Sequence, residues 1–130
     1  MSRPVAYAGV WMTVAFAVCA NGDSPGLVFY DGLSKKDQVR VMVLFQKLGD
    51  TGRIASREHY KKIEGNLWEF KRHQIRMPCF YASGRQVVIT HGFMKKSDNI
   101  PPEEIKRANR IMTEDIAREP RDKPRQDRKQ

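Results

Sequence analysis

The spacing of apolar positions changes several times along the chain, and each change predicts an element. Trp11-Met-Thr-Val-Ala-Phe-Ala-Val18 is rich in strand formers and predicts an N-terminal strand, with Asn21-Gly22 as the turn after it. Leu27-Val-Phe-Tyr30 then suits a second short strand or a loop. From Ser34 the period becomes helical. Ser34 is a candidate N-cap, Asp37 follows three residues on, and Gly49 is the stop signal. Val39, Met42, Phe45 and Leu48 form one stripe of that helix, widened by Val41 and Leu44. After the Asp50-Thr-Gly52 turn, residues 55–63 suit a second, shorter helix. The pattern then becomes strand-like, with candidates at 67–72, 75–82 and 86–91 and a hairpin turn at Ser83-Gly84. Pro78 inside the middle run implies an edge position or a bulge. Pro101-Pro102-Glu-Glu opens a last helix, lined on one face by Ile105, Ala108, Met112 and Ile116.

The order strand, helix, short helix, three strands, helix predicts a two-layer α+β fold. In it a small antiparallel sheet, the N-terminal strand plus the three-strand run, packs with two N-terminal helices and a C-terminal helix. A chain of 130 residues, 40% hydrophobic, suits one domain with a real core. That domain is expected over 1–117. Residues 118–130 have no aliphatic side chain to offset ordering entropy and are expected to form a disordered basic tail. No apolar run reaches the roughly 20 residues of a membrane span. The apolar stretch from Val5 to Ala20 contains Tyr7 and Trp11 and has only Arg3 before it, which favours a strand over a signal peptide. Cys19 and Cys79 form no C-x-x-C pair, so a reduced, cytoplasmic protein is expected.

The formal net charge of +9 points to polyanionic partners. It is unevenly spread. Residues 57–100 hold nine basic and four acidic residues, a net +5, so the strand-rich segment carries more than half of the excess.

Within that segment lie Leu67-Trp-Glu-Phe-Lys71, then Arg76, then His91-Gly-Phe-Met-Lys-Lys-Ser97 and Pro101-Pro-Glu-Glu-Ile105. In this order and spacing they resemble the phage-derived branch of the HigB-like toxins, within the RelE/ParE toxin superfamily. Asn21-Gly22 and the Leu48-Gly-Asp-Thr-Gly52 turn fit as well, and the resemblance covers residues 11–117. Lys71 stands where that pattern has Arg, and Ser97-Asp-Asn-Ile lacks one of its basic residues. The resemblance implies a RelE-like fold and a toxin of a type II toxin–antitoxin pair. Such a toxin cuts mRNA on the ribosome without a metal and is neutralised by a helix-turn-helix antitoxin.

Metal-free RNA cleavage needs a base for the ribose 2′-OH, an acid for the leaving 5′-oxygen and cations for the phosphorane. Alternation on 67–72 puts Leu67, Glu69 and Lys71 on one face and Trp68, Phe70 and Arg72 on the other. With Trp68 and Phe70 in the core, Glu69 and Lys71 are expected to be exposed, Glu69 as a surface partner of Lys71. The candidate catalytic set is Lys71, His73, Arg76, His91, Lys95 and Lys96, and the candidate RNA contacts are Lys61, Lys62, Arg72 and Arg85. Blander readings stand beside them: His73 as an idle surface residue, His91 as a hydrogen-bonded structural histidine, Lys95-Lys96 as a solvated strand end, and Lys61-Lys62 as a solvated helix face. Arg76 is the strongest candidate, because a lone cation in an apolar strand needs a reason. His59, His73 and His91 lack metal-ligand spacing, and no glycine-rich phosphate loop or nucleophile elbow is present, so neither metal nor cofactor is expected. The alternative function is a non-catalytic binding protein on the same fold, inhibiting a cellular target such as gyrase.

Overall fold

The computed structural model describes residues 2–96 and 99–118; the expected tail from 119 onward lies outside them. The elements are β1 (Val5–Ala8), β2 (Thr13–Phe16), α1 (Pro25–Gly32), α2 (Lys35–Thr51), β3 (Tyr60–Glu64), β4 (Leu67–Arg72), β5 (Ile75–Ala82), β6 (Gln86–Ile89), β7 (Phe93–Met94) and α3 (Pro102–Arg118). This is an α+β fold of three helices and one seven-stranded sheet in the order β1-β2-β6-β5-β4-β3, with β7 paired to β5. No helix among the described residues is long and apolar enough to cross a membrane.

The sheet is larger than the spacing predicts, and it is mixed. β2 runs parallel to β6, with Val14 opposite Val87 and Phe16 opposite Ile89, while the other pairings are antiparallel. Two predicted elements change type. Residues 27–30 belong to helix α1, because Pro25 presets its first turn and Leu27, Phe29 and Tyr30 pack onto the core. Residues 60–64 form strand β3 rather than part of a second helix. Its burial alternates with period two, and the Gly65-Asn66 link, with Gly65 at φ +53°, returns the chain as β4. The apolar stretch from Val5 to Ala20, expected to be one strand, holds two, β1 and β2, and the two-residue β7 escaped the sequence pattern altogether. Pro78 lies on an interior strand, not at an edge. It falls where β5 passes from pairing with β6 to pairing with β7, and there its carbonyl accepts from the Thr90 N–H.

α2 starts as its sequence suggests, with the Ser34 hydroxyl accepting from the Asp37 N–H at 3.1 Å. It runs past Gly49 and stops at Gly52, whose left-handed φ of +79° ends the helix. Gly49 serves packing instead. Its carbonyl accepts from the N–H groups of Trp11 and Met12, both at 2.8 Å, which ties the β1–β2 turn to the helix.

α1 and α2 cover one face of the sheet around Phe16, Phe45, Phe70, Leu48 and Met77; Phe45 meets Phe70 edge-on at 5.1 Å. α3 crosses part of the opposite face, where Ala108 and Ile111 pack on Ala17, Leu67, Phe80 and Val88. Of the predicted apolar face of α3, Ala108 is buried, Ile105 and Met112 are half-buried and Ile116 is exposed. Asp115, one turn away, is buried against Arg3. Beyond the reach of α3, the β3–β4–β5 end of this face carries charged side chains.

Candidate functional site

Cross-strand pairing builds that charged area. Lys61 of β3, Glu69 of β4 and Pro78 of β5 form one row; Lys71 of β4, Arg76 of β5 and Phe93 of β7 form the next. Directly paired residues project to the same face, so Lys61, Glu69, Lys71 and Arg76 converge by register alone. β7 extends the chain to Lys95, whose N–H donates to the Gln74 carbonyl at 2.7 Å and whose residue is only 7% exposed. Lys61, Lys62, Glu69, Lys95 and Asn99 line a depression of about 280 Å³ here, with Ile105 of α3 at its side.

Glu69 is the unexpected member. It is 1% exposed, contrary to the exposure expected from alternation on β4. Alternation assigns it correctly to the face opposite Phe70, but the long side chains of Lys61, Lys71, Arg76 and Lys95 crowd around it there, and Ile105 of α3 stands at the side of the depression. Among the described residues it makes no hydrogen bond or ion pair, and its Oε1 is a buried acceptor without a partner. It is therefore not the surface partner of Lys71. Burial raises its pKa above the ordinary 4.5, against the opposing pull of Arg76, Lys95, Lys61 and Lys71. Lys71 answers with a pKa lowered from 10.5, first by burial and then by repulsion from Lys61 and Arg76. Its Nζ donates to the Arg57 carbonyl at 3.3 Å.

Arg76 is anchored on its backbone side. Nη1 donates to the carbonyls of His73 at 2.6 Å and Ile75 at 2.8 Å, while the buried Nε has no acceptor. The site thus brings together a carboxylate oxygen and a guanidinium N–H that are both buried without a partner, and each such group calls for a physical explanation. Such a cluster suits an anionic ligand that brings its own hydroxyl: cations for the charge, a carboxylate for the proton.

The other candidates are placed differently. His73 stands exposed at the β4–β5 turn with φ +54°, contributing its carbonyl to Arg76. His91 is fully buried: Nε2 lies 2.9 Å from Glu104 Oε1 of α3, and Nδ1 lies 3.0 Å from Thr90 Oγ1. Burial lowers its pKa despite Glu104, so the neutral ring donates from Nε2 to Glu104 and fastens α3 to the sheet. Lys96 is exposed beyond β7. Lys61 and Lys62 lie on β3, not on a helix, and both reach the depression. Arg72 lies apart, lining a groove beside α2. Arg85 is in the β5–β6 turn, with its guanidinium 4.3 Å from the Trp11 ring centre. Neither joins the cluster. Glu69 is the residue that sequence reasoning assigned only a passive role; the available signal was a lone acid on a strand within the most basic segment of the chain.

The fold and site define a small α+β protein with a buried carboxylate inside a ring of cations on a partly open sheet face. A family model described as Phage derived protein Gp49-like (DUF891) matches residues 29–113, and the chain belongs to this RelE/toxin-like family. The matched span starts inside α1 and ends inside α3, so it includes Glu69 and its cations and leaves out β1 and β2. Membership is compatible with a toxin role. No curated protein matches the chain.

Proposed function

We propose that this chain is a HigB-like toxin of a type II toxin–antitoxin pair, an endoribonuclease that cuts mRNA on the ribosome. The observation that carries the reading is the unpartnered Glu69 carboxylate among Lys61, Lys71, Arg76 and Lys95. In the proposed reaction Glu69 takes the proton of a ribose 2′-OH, and its raised pKa suits a general base working near neutral pH. The 2′-oxygen attacks the adjacent phosphorus, the P–O5′ bond breaks, and a 2′,3′-cyclic phosphate and a 5′-hydroxyl result. Arg76, with an unused Nε–H, and Lys61 stabilise the extra charge on the phosphorane. Lys71, with its lowered pKa, is the proton donor to the leaving 5′-oxygen. His91 is spent on Glu104 and acts in folding. Lys62, Lys95 and Lys96 supply phosphate contacts, and a helix-turn-helix antitoxin encoded nearby is the proposed neutralising partner.

The test is purified protein added to translating ribosomes, with message ends mapped by primer extension. Codon-linked cuts are expected, reduced about 100-fold by Arg76→Ala, the scale of losing one transition-state donor. Intact message with arrested growth overturns the nuclease reading and favours a non-catalytic inhibitor on the same fold, such as one acting on gyrase.

A further inference from the structure

A second hollow, of about 190 Å³, lies at the end of the sheet, where the β3–β4 turn, the end of β5 and the last turns of α3 meet. Its walls are aromatic and apolar: Trp68 of β4, Tyr81 of β5, and Met112 and Ile116 one turn apart on α3. Tyr81 and Ile116 are 44% and 38% exposed, and Trp68 and Met112 are half-buried. The rings are held in place. Trp68 stacks on Tyr60 at 5.4 Å and meets Tyr81 edge-on at 6.2 Å, while the Tyr81 hydroxyl is hydrogen-bonded to that of Tyr60 at 2.9 Å. The rim is polar and cationic. Lys62 and Asn66 line it, and no Asp or Glu does. The Trp68 indole N–H is not buried, and neither it nor the Asn66 side-chain amide makes a hydrogen bond among the described residues. Lys62 also lines the depression of the Glu69 cluster, so one side chain joins the two hollows.

We propose that this hollow binds one nucleobase of the RNA strand whose backbone passes the Glu69 cluster, an inference that rests on RNA being the ligand of that cluster. A base brings a flat π face to the aromatic and apolar walls, and its edge brings acceptors for the indole N–H and the Asn66 amide. Lys62, between the two hollows, takes the phosphate that links this base to the reacting nucleotide. An apolar side chain of a protein would fill the walls and leave Lys62 and the two N–H donors unused, which favours a base. Every base presents such a face, so the hollow sets the register of the strand over Glu69 rather than reading its sequence.

The test is titration of the full-length protein with a short single-stranded RNA carrying 2′-methoxy groups, which cannot be cut. Trp11→Phe leaves Trp68 as the one tryptophan of the chain, and its emission is expected to be quenched to saturation. Ile116→Glu places a carboxylate at the exposed rim and is expected to weaken binding about ten-fold, the scale of one lost stacking contact. Ile116 lies outside the buried core, and its unfolding temperature serves as the folding control. An abasic nucleotide at one position of the RNA is expected to weaken binding to the unaltered chain by the same factor and to add nothing in Ile116→Glu. RNA that does not bind, that binds without changing the Trp68 emission, or that binds Ile116→Glu as well as the unaltered chain overturns the proposal. So does self-association abolished by Ile116→Glu with no response to RNA, which makes the hollow a protein contact. Message cutting that is lost in Arg76→Ala, with RNA binding indifferent to Ile116→Glu, removes the base pocket and leaves the nuclease reading standing. Intact message with Trp68 quenching lost in Ile116→Glu supports the pocket and removes the nuclease.

Discussion

Glu69 concentrates the chemistry of this protein into one side chain. A carboxylate removed from water and given no hydrogen-bond donor is costly, and four nearby cations offset that cost only in part. The sign of the consequence can be worked out. Its folded pKa lies above 4.5, so as pH rises the unfolded chain releases this proton first. The stability it contributes below its ordinary pKa is lost as pH climbs through the folded value. Glu69→Gln is therefore expected to stabilise the protein at pH 8 by about 1 kcal/mol, read by urea unfolding, while cleavage falls by about 100-fold or more. A loss of stability together with intact cleavage refutes both roles. The pH–rate profile follows from the same pair of residues. Cleavage should rise as pH passes the raised pKa of Glu69 and fall again below pH 10.5, as Lys71 loses its proton. A profile whose acid limb persists unchanged in Glu69→Gln assigns the base elsewhere.

At the scale of elements, the decisive contacts are those between segments far apart in sequence. β1 reaches α2 through glycine: a Cβ on Gly9 would strike the Gly49 backbone, which cannot move aside. Gly9→Ala is expected to cost about 2 kcal/mol in urea unfolding, the scale of an overpacked contact. Gly32→Ala, at the end of α1 with open space around it, is expected to be neutral or slightly stabilising. Equal effects at the two positions would show that β1 does not pack on α2 as described. The same dependence on distant partners explains where element prediction succeeded. α2, β4 and α3 were legible because capping residues, a period-two run and a Pro-acid start are local signals. β3 was missed because its Lys-Lys-Ile stretch suits either period, and only pairing with β4 selects the strand. α1 was missed because eight residues are too few for a periodicity.

Across the whole molecule, the segment before β1 and helix α3 meet in a buried ion pair. Arg3 Nη2 and Nε hold the Asp115 carboxylate at 2.6 to 3.2 Å, and Asp115 also accepts the Val18 N–H at 2.9 Å. The pair joins the chain before β1, the end of β2 and α3, as His91 and Glu104 do at the other end of α3. Asp115→Ala leaves a buried guanidinium short of three contacts and is expected to cost about 3 kcal/mol in urea unfolding. An unchanged midpoint would mean that the Arg3–Asp115 pair does not help to hold α3.

Read by itself, the sequence determined the α+β class, the three-strand run, the capped α2 and the acid-started α3. It also showed that the positive excess is concentrated in residues 57–100. These are properties of neighbours in the chain: a propensity, a period, a cap, a local sum of charge. Only tertiary structure decided that Glu69 is buried, that four cations from three strands and the β7 end surround it, and that His91 belongs to folding rather than to the site. Burial and pKa depend on what the opposite layer covers and on cross-strand register. Neither exists until the strands have paired and α3 has packed on part of their face.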